Sequence, residues 1–262
     1  MTDDTMNEPE TGYEGMRTMP PPPVEALSIT DKFVGILTEP SPTYENVRAA
    51  GPRTTDWLVP VALTALVLIV GMFLRFSNPE FMAQMMETQT KSLQEQVDKG
   101  NMTEEQAEKA VEQFEGMEGF FKITGTISAG VGFVIVFFIL CLFYWLVIRF
   151  IMKGDATFGL ILSAAGLSTF ISIIDQLVGL LLTFVTGKPF ANLSPALLTG
   201  SDMSSLTNRL LMVINPIVIW SYYVLGIGFE KVAAISRTKG MIVAFTFFLL
   251  ASIAGAFSGY GM

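Results

Sequence analysis

Four stretches of this chain run without a charged residue for longer than the about 18 to 20 helical residues needed to cross a hydrocarbon core. They lie within 57–76, 123–149, 210–229 and 240–260, each bounded by a charged residue such as Arg75, Lys122, Arg149 or Lys239. A fifth stretch, 156–187, is apolar throughout except for Asp175. Five bilayer-spanning helices are therefore expected. Composition agrees, since 51% of the 262 residues are hydrophobic and 15% charged, against about 25% charged in an ordinary globular domain. Mean hydropathy is +0.51. The expected fold class is all-α: a polytopic membrane protein with five transmembrane helices plus an extramembrane helical hairpin.

Composition also excludes chemistry. The chain has no histidine and one cysteine, Cys141, which removes imidazole bases, His-ligated metals, thiolate pairs and any disulfide within the chain. Cys141 sits among Phe138, Leu142 and Phe143 with no basic neighbour, so it reads as a small apolar packing residue. A net charge of −8 argues against nucleic acid, whose phosphates need a basic face. No catalytic, metal or cofactor-binding residue is assigned, and no cofactor is expected.

Orientation follows from Lys and Arg near the ends of short loops. Arg48, Arg53, Arg149, Lys153, Lys231, Arg237 and Lys239 would share one side, and Arg75, Lys122, Lys188 and Arg209 the other. The majority predicts a cytoplasmic N-terminus and, after five crossings, a C-terminus outside. Acids at Asp3, Asp4, Glu8, Glu10 and Glu14 speak against a cleavable signal peptide, so the first span is expected to direct insertion.

Three segments lie outside the spans. Residues 1–27 are acidic and contain the run Pro20 to Pro23, the composition of a disordered tail with a short polyproline stretch. Residues 28–56 alternate short helical pieces with Pro40, Pro42 and Pro52, and place Phe33, Ile36 and Leu37 on one face with Asp31, Lys32 and Glu39 elsewhere. That pattern fits an amphipathic lead-in lying in the interface before Trp57, with packing against protein as the alternative. Residues 79–119 form the most polar part, with acids from Glu80 to Glu118 and apolar residues at helical spacing. Lys99-Gly100-Asn101 stops one helix, and Thr103 with Gln106 starts another as a capping box, so a helical hairpin is predicted. Its acids are too evenly spread to form a calcium loop.

Two polar residues inside the spans form the candidate site. By the about 1.5 Å rise per helical residue, Asp175 lies roughly 5 Å to the outer side of its span's centre and Asn215 roughly 7 Å to the outer side of the next. Matched depth lets them meet. Pro216 cannot donate to the helix ladder, so a kink that frees a carbonyl is expected there. With no Lys or Arg in either run, the expected state is a neutral Asp175 hydrogen-bonded to Asn215. Such a spot could hold a proton, a cation or water, or serve packing alone. Small residues at four-residue intervals, Gly125 and Ala129, then Ala251, Gly255 and Gly259, permit close helix packing or a homo-oligomer contact.

The order of parts, together with Phe33-Val-Gly-Ile-Leu-Thr-Glu-Pro40, Pro42-Thr-Tyr-Glu-Asn-Val47 and Trp57-Leu-Val-Pro60, resembles the start of prokaryotic Yip1 family members. Ile219-Trp220, Leu225-Gly-Ile-Gly-Phe229 and Ile235-Ser-Arg-Thr-Lys239 are similar to the last two spans of that domain. The resemblance covers about Ile29 to Gly255, a five-helix domain at 57–262 with 79–119 as an insertion, and implies no catalytic motif. The Asp-Leu-Tyr-Gly-Pro motif of eukaryotic members is absent, so their Rab GTPase binding is not carried over. The function expected is that of a non-enzymatic membrane organiser or partner-binding scaffold contacting lipid and membrane or cytoplasmic proteins. The alternative is a transporter or channel-like protein that uses Asp175 and Asn215. An intramembrane enzyme ranks last because paired catalytic groups are missing.

Overall fold

The computed structural model describes residues 24–188, 191–199 and 205–258, and every regular element among them is helical. The lead-in forms two helices, α1 (Ile29–Thr38) and α2 (Pro40–Ala50). Ser28 caps α1, its Oγ accepting from the Asp31 amide at 3.1 Å, and Pro40 opens α2 at a position where no N–H is needed. Long apolar helices follow: α3 (Thr54–Phe76), α6 (Glu118–Leu146, running on through a π-turn at Val147–Ile151), α7 (Phe158–Thr186) and α11 (Arg237–Ser258). Between them lie α4 (Pro79–Asp98), α5 (Glu104–Gly116), α8 (Ala196–Thr199), α9 (Leu206–Val213) and α10 (Pro216–Ala233).

Four helices are long and apolar enough to cross a membrane, and a fifth span results if α9 and α10, bent by 48° at their break, count as one. The fold is thus all-α with four to five candidate spans. Where the sequence suggested a kink at Pro216 inside one helix, the helix ends at Val213 and restarts at Pro216. Proline alone tolerates a bend; the cap supplied by Asn215 makes it a full break.

α7 is the central helix. Every residue from Leu160 to Ile171 is buried, as happens when a helix is surrounded rather than faced on one side. Its main neighbours are α3 and α10, with α6, α1 and α2 completing the sheath. Gly166 makes the α3 contact possible, because a Cβ there would come within 2.6 Å of the Trp57 Cβ. A second close approach joins α10 to α11, where a Cβ on Gly226 would meet Met241 Sδ at 2.6 Å.

The lead-in packs on protein. Its inner face is not the one the apolar pattern suggested: Ile36 and Lys32 point inward, and Phe33 is partly exposed while meeting Phe170 edge-on at 4.9 Å. A long-range partner for Lys32, described below, explains why a charged residue takes the inner position. At the opposite end, α4 and α5 pair through buried Leu93 and Ala107 and turn at Gly100, whose φ is 72°. The expected capping box is present, Gln106 donating its amide to Thr103 Oγ1 at 3.3 Å and Thr103 donating to Gln106 Oε1 at 2.9 Å. Phe81 and Met82 seat this hairpin on Phe76 at the end of α3. The N-terminal residues 1–23, including the polyproline run, lie outside the described residues.

Candidate intramembrane polar site

Asp175 and Asn215 are brought together. Asn215 Nδ2 donates to Asp175 Oδ1 at 2.7 Å, and Asn215 is 2% exposed. The asparagine does two things at once. Its Oδ1 accepts from the amides of Ile217 at 2.9 Å and Val218 at 3.4 Å, capping α10, and its Nδ2 reaches across to α7. Both polar ends of the side chain are thereby satisfied in an apolar setting, where an orphaned amide would cost about 1–3 kcal/mol. Pro216 follows at the first helical position, so the three residues Asp175, Asn215 and Pro216 form one arrangement in which a carboxyl stands over the N-terminal end of α10. Before the break, Asn192 Nδ2 donates to the Met212 carbonyl at 3.1 Å.

At the next residue of α7 the chemistry changes. Gln176 Oε1 is buried without a hydrogen-bond partner among the described residues, and so is Nε of Arg75 from the last turn of α3. Neither was assigned from sequence, where Arg75 served as a span boundary and as a cation in the orientation count. No group of three His, Cys, Asp or Glu side chains able to hold a metal occurs among the described residues.

The small residues divide. Gly125 packs on Phe76, whose ring carbons would lie 3.0 Å from a Cβ at that position, while Ala129, Ala251 and Gly255 are half-buried. Gly259 lies outside the described residues. The α3–α6 approach also uses Gly130, where a Cβ would come within 2.6 Å of Ile69. Cys141 is fully buried, as its surroundings implied.

The second missed feature is the attachment of the lead-in. Lys32 Nζ and Asp56 Oδ1 form an ion pair at 2.6 Å, both side chains 1% exposed. Asp56 also accepts from the Arg53 amide through Oδ2 at 3.3 Å. Tyr44 is fully buried against Gly228, donates to the Ala164 carbonyl at 3.1 Å, and has its phenol pushed well above the ordinary range by that burial. Arg48 donates to the Val232 carbonyl at 2.7 Å, and Lys231 pairs with Glu45 at 2.7 Å. A readable signal existed for one member only: an acid, Asp56, immediately before an apolar run needs a partner.

With this geometry in place, comparison with known proteins gives a family. The Yip1 domain matches residues 34–258 of the sequence. The chain belongs to the Yip1 family. A relative from Bacillus subtilis (strain 168), "Membrane protein YknW", is 27% identical over 229 residues, covering 86% of this chain and 88% of its own. No solved structure matches. The match begins at Val34, within α1, and ends at Ser258, the last residue of α11.

Proposed function

We propose that this Yip1 family membrane protein is a non-enzymatic scaffold that organises the membrane or holds a protein partner at the lead-in end of its bundle. The observation that supports this reading is the stapling of α1 onto α3 through Lys32, and of α2 onto α7 and α10 through Tyr44 and Arg48. Three chain segments far apart in sequence thereby present one fixed surface. Its rim carries charge of both signs, including Glu45, Arg149, Asp155 and Arg237, and a preorganised surface of mixed charge suits partner binding. The Asp155 amide donates to the Ala233 carbonyl at 2.8 Å, which ties the two loops of that end together.

A transporter or channel-like activity is the second reading, favoured by the broken span α9–α10 with Asp175 at the break, an arrangement used by transporters to face ions or substrates. Reconstituted vesicles separate the two. The scaffold reading expects no proton or cation flux above empty vesicles, and a photo-crosslinker at Glu45 that gives a discrete protein adduct in intact membranes and loses it in Tyr44→Ala. Flux that disappears in Asp175→Asn would overturn it.

A further inference from the structure

Arg75 occupies the last turn of α3 and turns its guanidinium inward against α7. Nη1 lies 3.8 Å from the point where a Cβ on Gly71 would sit, and Nη2 lies 3.9 Å from the same point on Gly179; both glycines are buried. Two residues without side chains thus make room for one planar cation. What balances its charge is missing. Among the described residues no carboxylate comes within 4.0 Å of Arg75, whose Nη1 meets the Met72 sulfur, a weak acceptor, at 4.0 Å. Nε is buried with no partner. Glu80, the nearest acid in the chain, sits instead against Gly187, 3.5 Å from its Cβ position. A partly buried cation without a counter-charge is costly at a membrane boundary, and the carbonyls at the end of α3 offset only part of that.

We propose that Arg75 is a phosphate site that holds the phosphodiester of a phospholipid at the hairpin end of the bundle. The guanidinium fork matches two phosphate oxygens, which an ammonium cannot do. The position is the end of a span, where headgroups lie, and Gln176, three residues before Gly179 on α7, offers its unpartnered Oε1 to a hydroxyl or ammonium of the headgroup. Exposed apolar side chains on the same two helices, Val70 and Phe73 on α3 with Leu177 and Leu181 on α7, give the acyl chains a surface. These flanks select a lipid over a soluble phosphate.

The test uses full-length protein, purified and delipidated in detergent, with added phosphatidylglycerol followed by native mass spectrometry. Wild type and Glu80→Gln should bind it alike, and Arg75→Gln should bind about tenfold or more weakly, the loss of a charge-assisted hydrogen bond. Arg75→Lys, which keeps the charge and loses the fork, should fall between them and serves if Arg75→Gln does not fold. Diacylglycerol of the same chains should bind no better to wild type than to Arg75→Lys. Equal phosphatidylglycerol binding by wild type, Arg75→Gln and Arg75→Lys would overturn the proposal. So would inorganic phosphate that raises the melting temperature of wild type alone while phosphatidylglycerol binds no better than diacylglycerol.

Discussion

Lys32 and Asp56 show how much a single residue can decide. Two opposite charges, both removed from water, are stable only as a pair, because either alone would be an uncompensated buried ion. Lys32→Met should therefore destabilise the protein by about 3–5 kcal/mol, measured by denaturant unfolding in mild detergent. The double variant Lys32→Met, Asp56→Leu should recover most of that loss, since it leaves no orphaned charge. Tyr44→Phe is a smaller change: it removes the bond to the Ala164 carbonyl and should cost about 1 kcal/mol. Gly228→Ala acts on the same contact from the other side, placing a Cβ 2.9 Å from the Tyr44 ring, and should loosen the lead-in without touching its hydrogen bonds. The pairing of Asp175 with Asn215 was legible in the sequence because helical rise is fixed and each residue stands in an otherwise apolar run. Lys32 with Asp56 was not legible. Their meeting depends on how α1 settles on the bundle, and helical periodicity alone put Lys32 on the outer face.

Among the elements, the broken span carries the most consequence. Asn215 holds the N-terminus of α10 and the carboxyl of Asp175 with one side chain, so Asn215→Ala should cost more than a cap alone. About 0.5–2 kcal/mol is the usual range for a lost cap, and the upper end or beyond is expected here, read as a lower unfolding midpoint. Asp175→Ala should cost less, because the cap of α10 survives it. The long apolar helices were readable from their composition, and the α4–α5 hairpin from its capping box and Gly100. The break was only half readable. Pro216 signals a disturbance, but whether a helix kinks or stops depends on whether the freed groups find partners, and those come from the side chains of Asn192 and Asn215.

Across the whole molecule, the polarity of the bundle sets the expected orientation. The lead-in and the loops near Lys153 and Arg237 form one end, and α4–α5 stands at the other. By the positive-inside rule the lead-in end is expected in the cytoplasm. A reporter fused after Met262 should then give alkaline phosphatase activity, and strong green fluorescence there would mean an even number of crossings. Removing the hairpin should leave the bundle's unfolding midpoint nearly unchanged, because its main packing is internal and against the end of α3.

The contacts of the lead-in also set an order of events during synthesis. Lys32 and Asp56 are 24 residues apart and can pair as soon as the first span emerges. Tyr44 waits for a carbonyl 120 residues later, and Arg48 for one 184 residues later. At ribosomal rates of about 5–20 residues per second, the last partner arrives on the order of 10–40 s after Arg48 itself. For that interval α2 waits with its tyrosine uncovered, so an element made early is among the last to reach its final place.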